Sequence, residues 1–474
     1  MTRGSIYLII ASVIFITTGY IIHIGLARIL GPANYGIYGV VISIMSIFNL
    51  ILTSGISQAV SKYISAGENS ESVKRAALQF QAAFAVLAFI AFEMLADIFA
   101  ISLGDITLAY YIRISGLTLL GYALYSVING YFNGRKDFKK EAGMEITYSV
   151  SKLVFVGGLV MLGFSLTGVF IGFAVAPIVG FLMGILLTKK AKPSGKFDWK
   201  KLADFAWPVI IFSVAISFLI SADLFSVKSL LGQNTETGYY NAATTIARVP
   251  YTILGVVCSA LFPIISGTMA RKEKAKTKMY IKETLRYVLM ILMPLTLLVA
   301  ATSKDIINIL YTEEYISASG PLSILMVGFL FLTVFSIFAS VVCAEGKPKY
   351  TMALSLLLVA ISLILNRILI PIYGLSGAAY ATLISCLIGM LILYAYTKKR
   401  FGSIVDFISI SKIILASIPI YLLSSAITLA SPWLLLAEYP ILFLLYFAIL
   451  KTIGEIKTQD IERIKRNFTF LHLN

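Results

Sequence analysis

The sequence predicts an all-α polytopic membrane protein with fourteen transmembrane helices, arranged as two six-helix lobes followed by two further helices. Three observations carry this prediction. The 474 residues are 59% apolar and only 13% charged, with a mean hydropathy of +0.90. Soluble globular chains carry about 25% charged residues, so these charges cannot coat the soluble domains that the length would otherwise suggest. The apolar residues fall in runs of about 20, the length a helix needs to cross about 30 Å of hydrocarbon. The 39 Lys and Arg residues gather in the short gaps on one side of those runs.

The first run, 5–27, follows Thr2 and Arg3 without a small-residue cleavage site, so it reads as a span and not as a signal peptide. Spans 36–58, 79–103, 108–131, 143–162 and 167–188 complete the first lobe, residues 1–190. The second lobe, residues 205–400, takes spans 205–229, 239–265, 285–302, 320–343, 351–371 and 375–397. Spans 408–430 and 433–451 form an appendage over 405–452. In the tail, 453–474, Ile456, Ile461, Ile464 and Phe468 are interspersed with Lys457, Arg463, Lys465 and Arg466, as in an interfacial amphipathic helix.

An even number of spans puts both termini on one side. With the N-terminus inside, 32 of the 39 cations lie in cytoplasmic segments, only Arg28 and Lys304 lie in outer loops, and five lie within spans. This asymmetry orients the chain in the cell membrane with both ends cytoplasmic. The net charge of +16 would suit nucleic acid only if the cations clustered on a soluble face, and they do not. Cys258, Cys343 and Cys386 all sit in apolar runs and read as packing residues, with no disulfide framework or metal spacing. No cofactor is expected.

An internal repeat recurs at an offset of roughly 200–212 positions. Leu30-Gly31-Pro32-Ala33-Asn34-Tyr35-Gly36 parallels the segment from Leu231-Gly232 to Gly238-Tyr239, and Asn133-Gly134-Arg135-Lys136 parallels Glu345-Gly346-Lys347-Pro348. Ser165 to Gly168 matches Leu375 to Gly377, and Gly180 matches Gly389. The copies are six spans apart, so they share one orientation, which is a parallel repeat about an axis along the membrane normal. Two such lobes create a cleft near the bilayer midplane that rocking exposes to either side.

The segment Leu26 to Tyr38 resembles the opening motif of the polysaccharide-export branch of the MATE-like flippase superfamily. Leu310 to Leu322 resembles that family's outer turn between helices 9 and 10, and Gly238 to Pro250 with Leu261-Phe262-Pro263 resembles its helix 8. The resemblance implies translocation of a polyprenyl-diphosphate-linked oligosaccharide from the cytoplasmic to the outer leaflet. It also implies a central cavity in which cations meet the diphosphate. In the more distant lipid II branch, arginines on helices 1 and 8 serve that role, which points to Arg28 and Arg248, although Arg28 lies at the outer end of its span.

Ionisable groups inside spans are costly and each needs a reason. Lys152 has no acidic neighbour one turn away in span 5, so it either lines a wet cavity or snorkels to the cytoplasmic interface. Arg248 either faces the cavity, with Asn241 on the same span, or is held by Asp223. Asp97 and Arg113 are equidistant from their turn, which suggests a structural ion pair. Glu93, Asp97 and His23 are the alternative candidates for ion coupling, and His23 also reads as a packing residue. Arg367 and Lys228 are expected to snorkel at outer helix ends.

Two other function classes compete with this reading. A membrane enzyme would gather carboxylates or histidines at a water-exposed site, yet the outer loops are short and no Walker-type phosphate loop is present. A drug–cation antiporter on the same scaffold would want a clustered acidic site in the first lobe. The chain is expected to act as a monomer.

Overall fold

The computed structural model describes residues 3–188, 195, 197–252, 261, 265–269, 271–427 and 431–456. Among them there is no β-strand, and eleven helices are long and apolar enough to cross a membrane. Two of the eleven are double length. The first, α1 (Arg3–Ser65), is broken at Gly31 (φ 72°, ψ 171°), a left-handed backbone that glycine adopts without a Cβ penalty. His23 and Tyr38 then meet, ring centroids 5.4 Å apart. Fifteen residues of unbroken helix would separate them by about 22 Å, so the two arms of α1 fold back on each other.

The chain continues through α2 (Ser70–Ser102), α3 (Leu108–Gly134), α4 (Phe138–Leu159) and α5 (Ser165–Leu187). The turn Val160–Phe164 joins α4 to α5 and opens at Gly163 (φ 89°). Next come α6 (Trp199–Leu231) and α7 (Asn234–Ala247). Local chemistry sets several of these ends. Asn69 accepts from the Ser72 amide at 2.9 Å to start α2, and Asp198 accepts from the Lys200 amide at 3.0 Å to start α6. Gly232 closes α6 in the left-handed conformation.

Later in the chain come α8 (Lys274–Ala301), the short α9 (Ser303–Leu310), α10 (Ser319–Ala344), α11 (Pro348–Tyr373), α12 (Leu375–Phe401), α13 (Phe407–Ala426) and α14 (Leu435–Thr452). The helices pack into two units. One comprises residues 1–241 with 355–374, and the other residues 242–354 with 375–474. The first unit runs on through α6 to residue 241, because α6 packs along α1. A Cβ on Gly55 of α1 would stand 2.6 Å from the Ala206 Cβ of α6. Small residues let helix backbones approach in this way where no hydrophobic force drives association.

In the second unit α10 lies against α12, and α13 against α8. Arg286 of α8 binds the buried Glu455, Nε to Oε1 at 2.6 Å, and also donates to the Glu455 carbonyl. Lys282 reaches Asp406 at 2.8 Å, and that aspartate caps α13 through the Ser409 amide. The Lys282 bond holds the Asp406 pKa below its ordinary value. Of the tail expected over 453–474, the part from Lys457 onward lies outside the described residues, as does Cys258. Cys386 is buried and Cys343 partly so, as packing residues.

Candidate functional site

The first unit holds a polar cavity of about 340 Å³ between α1, α3 and α4. Its wall carries Tyr122, Tyr125 and Asn129 from α3 and Glu141, Glu145 and Tyr148 from α4. The spacing explains the convergence. Positions 122, 125 and 129 lie on one helix face, as do 141, 145 and 148, because residues three and four apart share a side of a helix. Tyr122 and Tyr148 hydroxyls bond to each other. Glu141 is buried and accepts from Asn133 Nδ2 at 3.0 and 3.2 Å. Tyr125 is only 8% exposed, yet its hydroxyl finds no hydrogen-bond partner among the described residues. None of these cavity groups stood out in the sequence. The signal was there in two facing stripes, Tyr-x2-Tyr-x3-Asn and Glu-x3-Glu-x2-Tyr.

Lys152 lies one turn beyond Tyr148 and is 6% exposed. Its Nζ sits 4.9 Å from the Phe15 ring centroid, 5.3 Å from Tyr148 and 5.7 Å from Phe173. No carboxylate lies within ion-pair distance of it among the described residues. Cation–π attraction of this kind holds a desolvated charge with about 2 kcal/mol or more, without neutralising it. Snorkelling is not what the side chain does. Phe15 and Tyr148 belong both to this cage and to the cavity wall, so one layer of rings separates the ammonium from the cavity.

The other expected site residues are placed as follows. Asp223 is buried and accepts from Tyr240 Oη at 2.7 Å, across α6 and α7. Asn241 donates to the Tyr35 carbonyl at 3.3 Å. Arg248 is half-buried just past the end of α7, in the second unit, and Arg28 is exposed near the break of α1. His23 stands edge-on to Tyr38. Asp97 pairs with Arg113 at 2.7 Å, as equal depth from the turn implies, and Glu93 lies 4.0 Å from the same guanidinium.

Lys228 overturns its expectation of snorkelling. It is 1% exposed and bonds Asp105 at 2.7 Å and Asn234 at 2.5 Å. The turn between α2 and α3 brings a carboxylate to it from 123 residues away, which removes the need to reach water. Burial opposes ionisation of Asp105. Hydrogen bonds from Lys228, Thr107 and Asn234, with the Lys228 charge, outweigh it and bring the pKa down to about 2.

At the same end of the first unit the two turn segments that the sequence pairs as a repeat meet. A Cβ on Gly36 would overlap the Asn234 carbonyl, and one on Gly238 would overlap the Pro32 carbonyl. A Cβ on Gly39 would run into the Asn241 side chain. The pairs 32 and 234, 36 and 238, and 39 and 241 are each separated by 202 positions. Residue 36 thus meets the equivalent of 32, residue 238 meets the equivalent of 36's partner, and 39 meets its own counterpart.

Comparison with known proteins agrees with this architecture. A probable low-salt glycan biosynthesis flippase of Haloferax volcanii, Agl15, is 23% identical over 432 residues, covering 88% of this chain and 89% of that protein. A solved structure of the lipid II flippase MurJ in an inward closed conformation superposes with a TM-score of 0.78 at 17% identity, covering 96% of this chain and 99% of that one. An inward-facing multidrug resistance MATE family transporter of the MOP superfamily superposes at 0.68 with 14% identity, over 81% and 94%. Residues 25–320, more than half of the sequence, match the family described as polysaccharide biosynthesis protein, and the chain belongs to that family.

Proposed function

We propose that the protein is a flippase that carries a polyprenyl-diphosphate-linked oligosaccharide from the cytoplasmic to the outer leaflet of the cell membrane by alternating access, for surface glycan synthesis. Family membership and the flippase relatives support the class of reaction. Lys152 is the single observation that carries the chemistry. An anion crossing hydrocarbon needs cations in place of its hydration, and Lys152 is a charge within an apolar span, held by rings and paired with no carboxylate among the described residues. Arg248 and Arg28 are further candidate cations for the diphosphate, and Asn241 and Asp223 further candidate contacts for the substrate.

The topology we infer is fourteen spans with both ends cytoplasmic. Eleven helices qualify by length and composition, and the two double-length ones each make two crossings through Gly31 and Gly163. The span expected over 239–265, which α7 overlaps at its start, would be the last. The reciprocal contacts of 36 and 238 support the two-lobe reading, since contact of i with the equivalent of j and of j with the equivalent of i is the signature of a two-fold axis. Asp97 is committed to Arg113, which weakens the acidic ion site that a drug–cation antiporter would need there.

The test uses proteoliposomes of the full chain and a fluorescent polyprenyl diphosphate bearing one N-acetylhexosamine. Lys152→Met should slow its translocation about ten- to a hundredfold, the worth of one hydrogen bond to a charged group. Lys152→Arg should retain a substantial part of the rate. A Lys152→Met variant at the parental rate would remove Lys152 from the mechanism. A parent that exchanges a cationic dye for protons and leaves the lipid in place would overturn the function.

A further inference from the structure

We infer that the cavity between α1, α3 and α4 is a sugar subsite that takes the residue attached directly to the diphosphate, and that it selects sugars without a carboxylate. The inference rests on the flippase reading and names the part of the substrate that this cavity holds. At about 340 Å³ the cavity falls at the low end of the roughly 300–1,000 Å³ of small-molecule sites, and it is far larger than a bare ion requires. Its lining has the two components that a pyranose ring needs. The rings of Tyr122, Tyr125 and Tyr148 offer apolar faces for the C–H face of the sugar. The carboxylate of Glu145 offers acceptors, and the Asn129 amide offers a donor and an acceptor, for the hydroxyls.

The unmet hydrogen-bonding capacity points the same way. Tyr125 is more than nine-tenths buried in the cavity wall with a hydroxyl that has no partner, and Glu145 makes no side-chain hydrogen bond or ion pair among the described residues. Both line the cavity with hydrogen-bonding capacity to spare, which the hydroxyls of a bound sugar would meet. Charge then sets selectivity. Among the described residues two carboxylates and no cation line the cavity, so a uronic acid would meet like charge, whereas a neutral or amino sugar would not. Position follows from the shared rings. Phe15 and Tyr148 wall both the cavity and the Lys152 cage, which puts the subsite beside the cation proposed for the diphosphate.

The experiment compares two probes, a polyprenyl diphosphate bearing N-acetylglucosamine and the same lipid bearing glucuronic acid. Binding to the detergent-solubilised, monodisperse protein and translocation in proteoliposomes are both measured. The parent should prefer the neutral sugar by about tenfold or more, since like-charge juxtaposition is costly. Glu145→Gln, nearly isosteric, should bring the two probes to within about threefold, chiefly by improving the uronic probe. Tyr125→Phe should weaken the neutral probe alone. Equal binding of the two probes by the parent, or an unchanged ratio in Glu145→Gln, would overturn the subsite. Selective binding that depends on Glu145, without translocation of either probe, would keep the subsite and remove the flippase reading.

Discussion

Gly36 and Gly238 offer the sharpest test of how the repeat motifs pack. In Gly36→Ala the new methyl would overlap the Asn234 carbonyl and stand 2.8 Å from the Gly238 nitrogen. Ordinary contact begins near 3.4 Å, so the two backbones must part by more than about 0.6 Å at that point. The obstruction is backbone, which no rotamer change can relieve, so the cost belongs at the upper end of overpacking, about 3 kcal/mol. Replacing a helical glycine by alanine returns about 1 kcal/mol of propensity. The net loss is about 2 kcal/mol, read as a clear fall in melting temperature of the solubilised protein. Gly25→Ala in the first arm of α1 is the control, because nothing lies within 4 Å of its added methyl, and it should be neutral or mildly stabilising. Gly36→Ala with Gly238→Ala should lose less than the sum of the two, since one separation relieves both overlaps. A Gly36→Ala protein that melts at or above Gly25→Ala would refute the close approach.

The remaining predictions concern ion pairs and topology. Asp105→Asn strands the buried Lys228 charge and should cost about 3–5 kcal/mol. The folded Asp105 pKa lies below its unfolded value, at about 2, so its stabilisation is present above about pH 4 and is lost as pH falls toward about 2. Melting curves of the parent should show that acid loss, and those of Asp105→Asn should not. Arg286→Ala and Glu455→Ala should each destabilise by a few kcal/mol (about 3–5 for a buried pair), and the double variant by clearly less than their sum. Additive losses would deny the coupling. Single cysteines at Gly67 and Gln233, both exposed, should label from the cytoplasmic and the outer side respectively. Labelling from one side would overturn the span count between them.

The helical architecture was legible because the bilayer imposes one length on every span. The apolar windows 108–131, 320–343 and 375–397 fall inside α3, α10 and α12 with small overhangs. The misjudged boundaries share a cause. Helices α2, α6 and α8 begin at Ser70, Trp199 and Lys274, well before their apolar windows at 79, 205 and 285. Backbone hydrogen bonding does not stop at the hydrocarbon edge, and Lys74, Lys200 and Lys276 continue the helix in water. Hydropathy reports where the lipid ends and says little about where the helix does.

The site was legible only where a single residue broke the pattern. Lys152 stood out because a charge interrupts an apolar run, and its lack of an acidic neighbour one turn away agrees with the cage of rings in which it sits. Lys228 was misread by the same depth argument, because depth along one helix carries no information about Asp105, which the fold delivers from a different hairpin. Glu141 and Glu145 were overlooked for the opposite reason. They lie at the N-terminal edge of span 5, where a carboxylate needs no explanation until the facing helix is known to present Tyr122, Tyr125 and Asn129 at matching intervals. A charge deep in a span announces itself alone, whereas a polar cavity at its mouth is visible only as two stripes in register on different helices. The sequence holds both stripes, and only the packing of α3 against α4 makes them one wall.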